Sequence, residues 1–279
     1  MSALIDQSGL VEGSDYLSLS RTMAIRGKFL VDTITGAQHT LHHKAVKSIS
    51  LLEQPIPFEL WRQYNRRLKV NEDNLTEIIL FLNSIGGLVI NRSKTSHTRI
   101  TYRKIKWFTK GQMSLTLARR WPANLISIIL VIVSTMRPLM LAVFLIAILA
   151  YGANVAIDYV VLSSISFLLI IWTSTVIHEQ THNYILSKFT NRKILLQRGL
   201  RLGILHKQLS TKVELASALL GPIAGVLASL SLGIILEIFL PRPTLFISIG
   251  TLVALFHLVS LLPTYGDGRV VRDKLKGIL

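Results

Sequence analysis

Up to about Gln112 the apolar residues come in short runs separated by charges and turn residues. Alternation over Tyr16–Ser20, and again over Lys28–Thr35 before the turn Gly36-Ala37, predicts strands of a small sheet or hairpin. Helical spacing follows. Ala45, Val46, Ile49, Leu51 and Leu52 predict one helix ending before Pro55 and Pro57, and Phe58, Leu60, Trp61 and Tyr64 predict a second. Leu75, Ile78, Ile79, Phe81 and Leu82 predict a third, capped by Asn71 or Asn74 and stopped by Gly86-Gly87. Leu88, Val89 and Ile90 return to strand chemistry, so residues 1–112 are expected to form a small α+β, winged-helix-like domain.

Further along, the runs lengthen to Ala123–Met136, Leu139–Ala153, Tyr159–Ile177, Val213–Leu240 and Thr244–Leu262. A helix needs about 20 apolar residues to cross the hydrocarbon of a bilayer. The first run is short and is cut by Arg137-Pro138, so it reads as an interfacial or half-inserted helix, or as the lower part of one long tilted span. Four full crossings remain. The expected fold is mainly α, a polytopic membrane protein with about four transmembrane helices. The cytosolic domain at 1–112 precedes a basic juxtamembrane and interfacial segment at 113–137, and the membrane domain follows at 138–279.

Composition agrees with that pattern. Half of the 279 residues are apolar and the mean hydropathy is +0.48, too apolar for an ordinary soluble domain. The net charge of +16 fits an anionic membrane face or a nucleic acid, and its distribution decides. Lys104, Lys106, Lys110, Arg119 and Arg120 form a belt before the first long run. The connector Lys188–Lys212 and the tail with Arg269, Arg272, Lys274 and Lys276 are also basic, whereas Asn154–Asp158 is not. The positive-inside rule then puts the belt, the connector and the tail on the cytoplasmic side. The expected localisation is a multi-pass protein of a bacterial cytoplasmic membrane with both termini cytoplasmic. No basic stretch followed by an apolar core opens the chain, so no cleaved signal peptide is expected. Arg62, Arg66, Arg67 and Lys69 raise a DNA-binding reading for the first domain. A solvated basic face near anionic lipid explains them equally well, so lipid is an expected partner and nucleic acid is not.

The chain has no cysteine, so a transition metal must be held by His, Asp or Glu. His178, Glu179, Gln180, Thr181 and His182 close the Tyr159 run. On a helix the i, i+4 spacing sets both imidazoles on one face with Glu179 beside them, an arrangement that can hold zinc and a base for its water. Glu179 would accept the water proton and pass it to a leaving amine. The plainer alternative is an interfacial His/Glu cluster facing lipid headgroups. Orientation by charge puts Asp267 at the same depth, just past the last run, where Pro263 ends the helix and Gly266 and Gly268 permit a tight turn. His206 and His257 are the rival ligands: His257 could reach a polar cavity but is expected to hydrogen-bond a neighbouring helix, and His206 is expected to be a basic-loop residue. Gly221, Ala224 and Gly225 are expected to let helices pack closely. Asp158 falls on the outer side, and Glu214 lies near the inner surface outside any motif.

The pair "HEQTH" and "LLPTYGDGRVV" on separate membrane helices resembles the site-2 protease family of intramembrane zinc metallopeptidases, and Gly221-Pro222-Ile223-Ala224-Gly225 resembles the family's Gly-Pro segment. The resemblance covers Tyr159–Arg269. It implies zinc ligands His178, His182 and Asp267, Glu179 as catalytic base, and a peptide or membrane-protein substrate. Two departures affect substrate handling: Ser260 stands where the family commonly has asparagine, and Asp267 follows Pro263 one residue sooner than usual. Ile194–Leu209 is similar to the family's membrane-associated strand hairpin. The order of elements around "GKFLVDTITG" and "ILFLNSIGGLVI" resembles the PqqD-like peptide-recognition domains, which implies capture of a precursor peptide by strand addition. The rival function is a non-catalytic, membrane-anchored peptide-binding or maturation partner that keeps the metal fold. A membrane-tethered DNA-binding regulator is a third.

Overall fold

The computed structural model describes Val11 and residues 15–91, 118–152, 157–198, 201–240, 244–264 and 266–276. The described chain is mostly helical with small β-sheets, and it divides into two compact units. Met1–Arg120 with Leu196–Leu202 forms the first, and Trp121–Leu195 with Gly203–Leu279 the second.

In the first unit, β1 (Tyr16–Leu19) pairs antiparallel with β5 (Ile56–Pro57) on one side and with β6 (Leu88–Asn91) on the other. A second sheet runs in the order β2 (Met23–Arg26), β3 (Phe29–Asp32), β4 (Gln38–Thr40). Three helices follow the expected spacing: α1 (His43–Ser50), α2 (Phe58–Arg67) and α3 (Glu72–Ser84). Asn71 is the cap of α3, its side chain accepting from the Asn74 amide at 2.8 Å. Gly86 stops that helix with φ +65°, and a Cβ there would lie 2.6 Å from Leu196. The core gathers Leu17, Leu30, Ile49, Phe58, Trp61, Leu75, Ile79 and Leu82. Trp61 is fully buried and its indole donates to the Ser48 carbonyl at 2.9 Å.

Strand β2 was not expected from the sequence, because Met23–Arg26 carries a single alternation too short to stand out. Another difference concerns the basic belt. Lys104, Lys106 and Lys110 lie outside the described residues, but Arg120 faces no lipid: it is buried against Asp32 at 3.0 Å and donates to Thr22 Oγ1 and the Ile85 carbonyl. Asp32 also caps the turn after β3, accepting from the amides of Ile34 and Thr35. A carboxylate buried at that depth holds a cation by charge. Arg62, largely buried, and Arg66, exposed, both pair with Glu72, at 3.2 and 3.1 Å.

The second unit contains α4 (Leu125–Gly152), α5 (Ile157–Ser187), α6 (Thr211–Phe239), α7 (Leu245–Val259) and α8 (Gly266–Lys276). The two apolar runs flanking Arg137-Pro138 join into the one helix α4, bent by 46° between Leu125–Arg137 and Leu139–Ile146. The bend falls at Pro138, which lacks the amide hydrogen a straight helix needs. Among the described residues, Val160–Ser187 and Thr211–Phe239 are long and apolar enough to cross a membrane, and the bent pair adds a third if it is one span. The expected four full crossings are therefore met only in part. The last apolar helix has 15 residues, a length of about 22 Å against the roughly 30 Å of hydrocarbon.

Helix α6 packs on both α5 and α7. Its contact face is a stripe of small residues at i, i+4 spacing: Gly221, Gly225, Ser229 and Gly233, all buried. At the far end the backbones nearly touch. A Cβ on Gly233 would lie 2.7 Å from the Phe246 carbonyl oxygen, and one on Gly250 would lie 2.7 Å from that of Ser229. The connector between α5 and α6 contains β8 (Lys193–Arg198) and β9 (Arg201–His206), in the order β7-β8-β9 with β7 (Ala118–Pro122). The Lys193 ammonium donates to the carbonyl and the side chain of Asn183, beside His182.

Candidate metal centre

Helix α5 continues past its apolar run to Ser187, so His178 and His182 lie one turn apart inside a helix rather than at its frayed end. Both imidazoles are buried, and their Nε2 atoms approach to 3.0 Å. Asp267 completes the cluster, its Oδ2 lying 3.3 Å from His178 Nε2 and its Oδ1 3.4 Å from His182 Nε2. One donor atom from each residue falls within 4.8 Å of the others, so the three can hold a metal ion. A tetrahedral ion with bonds of 2.0–2.2 Å needs donor separations of about 3.3–3.6 Å. The imidazole pair is a few tenths of an ångström inside that range, and Asp267 approaches the two rings with different oxygens, at 3.3 and 3.4 Å. Two nitrogens and a carboxylate with no thiolate suit zinc or a similar divalent ion.

Asp267 reaches the cluster from an element that its sequence context did not suggest. Instead of standing on a tight turn, it occupies the first turn of α8, where a negative charge is favoured by the helix dipole. Gly268 is needed for space, since a Cβ there would lie 2.2 Å from the carbonyl oxygens of Leu261 and Leu262. Its amide donates to the Ser260 carbonyl at 2.9 Å, which ties the start of α8 to the end of α7. The end of α7 is tightened by amide bonds from Ser260, Leu261 and Leu262 to the carbonyls three residues back. Burial pushes the Asp267 carboxyl up, but the two imidazoles beside it outweigh burial and hold the group below the usual carboxylate range. Glu214, which belongs to no motif, tethers the same helix: it pairs with Lys274 of α8 and accepts from the Leu209 amide at 3.0 Å.

Each imidazole uses its other nitrogen. His182 Nδ1 lies 3.1 Å from Ser217 Oγ on α6, and His178 Nδ1 lies 3.1 Å from Nδ1 of His257 on α7. His257 Nε2 in turn lies 3.0 Å from Ser174 Oγ. The expected bond from His257 to a neighbouring helix is present, and its partner includes a residue of the cluster itself. His206 remains apart, at the end of β9 beside the Lys207 carbonyl. The Gly-Pro segment packs closely, as expected, but against imidazoles. A Cβ on Gly221 would fall 2.3 Å from His182 Nε2, and one on Gly225 would fall 2.6 Å from His257 Nδ1.

Glu179 is half-buried on α5, near enough to His182 for its charge to act on that ring. Ser260 turns its hydroxyl onto the His257 carbonyl at 2.7 Å. Ser174 and Ser217 carried no signal in the sequence, because each is one serine among several in apolar helices. The small-residue stripe was the available clue to Gly221 and Gly225. Comparison of the chain with family models, curated proteins and solved structures found no match to any of them.

Proposed function

We propose that the chain is a membrane zinc metalloendopeptidase that hydrolyses a peptide bond in or near the bilayer. The observation that carries this reading is the convergence of His178, His182 and Asp267 from α5 and α8 on one point, with Glu179 next to the first ligand. Zinc, when bound, supplies the Lewis acidity that makes a water more acidic and a peptide carbonyl more electrophilic. Glu179 accepts a proton from the attacking water as its oxygen bonds to the carbonyl carbon, and returns it to the nitrogen as the C–N bond breaks. His178 and His182 would hold the ion through Nε2 as neutral imidazoles. Burial among three apolar helices keeps bulk water away and strengthens each charge interaction. The same reading takes α4, α5, α6 and α7 as four crossings, the last one short, with both termini on the basic, cytoplasmic side.

A role for the first unit in capturing the peptide has an observation of its own. The edge strand β4 leads into a cavity of about 290 Å³ between α1 and α3, lined by Leu41, Ala45, Ile49, Val70, Ile78 and Phe81 among others. An extended peptide adding to that edge could seat a side chain there. Of the four basic residues that suggested DNA binding, Arg62 is largely buried against Glu72.

The test is hydrolysis of a fluorogenic peptide library by the full chain in liposomes. Glu179→Gln is expected to lower the rate on the order of a hundred- to ten-thousand-fold while zinc content stays unchanged. Full hydrolysis by Glu179→Gln removes the assignment. Zinc binding without hydrolysis of any peptide by the wild type favours the non-catalytic partner.

A further inference from the structure

His257 lies outside the ligand set, yet it is buried in an apolar helix and makes two side-chain hydrogen bonds. Proton accounting shows what they do. If His178 directs the Nε2 lone pair at a metal, its single ring proton sits on Nδ1 and needs an acceptor. His257 Nδ1, at 3.1 Å, is that acceptor, provided its own proton is on Nε2. Nε2 faces Ser174 Oγ at 3.0 Å, and the Ser174 hydroxyl directs its hydrogen to the Ile171 carbonyl at 3.3 Å, leaving the oxygen to accept. Every donor has an acceptor, and the chain runs one way, from His178 through His257 and Ser174 to the backbone of α5. The opposite assignment puts a proton on His257 Nδ1 and hence on His178 Nε2, where it blocks the metal position.

We propose that His257 is a positioning residue that holds His178 in its metal-binding tautomer and orientation, with Gly225 as the gap in α6 that admits its ring. The inference rests on the metal reading of the cluster. Gly225 supports it independently, since even a methyl group there would lie 2.6 Å from the Nδ1 that must accept.

The experiment measures zinc affinity by chelator competition and the visible spectrum after cobalt(II) loading. It uses the full chain in detergent as wild type, His257→Phe, His257→Asn and Asp267→Ala. Phenylalanine keeps ring volume without an acceptor, whereas the Oδ1 of asparagine stands where Nδ1 stood. The expected result is affinity weakened about 10- to 100-fold in His257→Phe with an altered cobalt spectrum, and held within about threefold in His257→Asn. A packing role predicts the reverse order, because asparagine leaves a void. Wild-type affinity in His257→Phe, or equal weakening in both variants, overturns the inference while the Asp267→Ala loss keeps the metal reading. Absence of zinc binding in the wild type overturns both.

Discussion

Both units bury large apolar side chains, Phe246, Ile170 and Val131 among those of the second, but they differ in what lines their helix contacts. The first unit hides Trp61, Phe58, Leu17, Leu30 and Ile79 and turns Lys47, Glu59, Arg66, Arg67 and Asp73 of α1, α2 and α3 outward. In the second, α6 buries Glu214, Ser217, Ala218, Gly221, Pro222, Gly225, Ser229 and Gly233, while Leu227, Ile238 and Phe239 are exposed. Water drives the first arrangement, since removing large apolar side chains from it is the main stabilising term. A lipid surround offers no such gain, so the large side chains can face outward, and the interior is given to small residues that let backbones meet and to the polar groups of a site. The difference explains why the second unit can bury three histidines together at the meeting of its helices.

Matched truncations give the sharpest way to break this contrast. Trp61→Ala is predicted to destabilise the first unit by about 3–5 kcal/mol. Phe239→Ala, of similar chemistry but 76% exposed, should change the second unit by no more than about 0.5 kcal/mol in detergent. Denaturant unfolding of the full chain measures both, and comparable losses would mean that Phe239 is packed rather than lipid-facing.

Enlarging a small residue should do the reverse. Gly221→Val is expected to push the His182 ring aside and to weaken zinc binding on the order of a hundredfold, with little effect from Leu227→Val on the outer face. Gly250→Ala brings a methyl group to 2.7 Å from the Ser229 carbonyl oxygen, and overpacking of that kind costs about 1–3 kcal/mol. A thermal melt of the detergent-solubilised protein reads it.

The smallest effect belongs to the surface of the first unit. Burial raises the Glu72 carboxyl, but Arg62 and Arg66 outweigh it and hold the group below its ordinary 4.5. A depressed acid contributes stability above its unfolded value and loses it as pH falls through the folded one. Glu72→Gln should therefore cost at most about 1 kcal/mol near neutral pH, and the gap between variant and wild type should close as the pH drops below 4.5. A gap that persists in acid would assign the loss to packing instead of charge.

Local patterns made much of this legible in advance. The spacing of Ile49, Trp61 and Leu75, the cap at Asn71 and the stop at Gly86 are properties of neighbouring residues, and the first unit's helices formed accordingly. The i, i+4 histidines are local too, and Asp267 was reached through charge orientation and motif resemblance. The pairing of Arg120 with Asp32, the tether between Glu214 and Lys274, and the run from His178 to Ser174 through His257 join residues far apart in sequence. No periodicity encodes such partners, because they depend on how helices rotate and how closely they approach. The helical setting of Asp267 was missed for a related reason: two glycines suggested a turn, while Gly268 is there to leave room for the end of α7.

Zinc bound per chain in the purified 279-residue protein, wild type beside Asp267→Ala, is the most direct measurement of the central claim. The account predicts about one zinc per wild-type chain and a loss of most of it in the variant, since two imidazoles from one helix hold the ion poorly alone. A wild type that carries no zinc, or an Asp267→Ala protein that carries as much as the wild type, would contradict it.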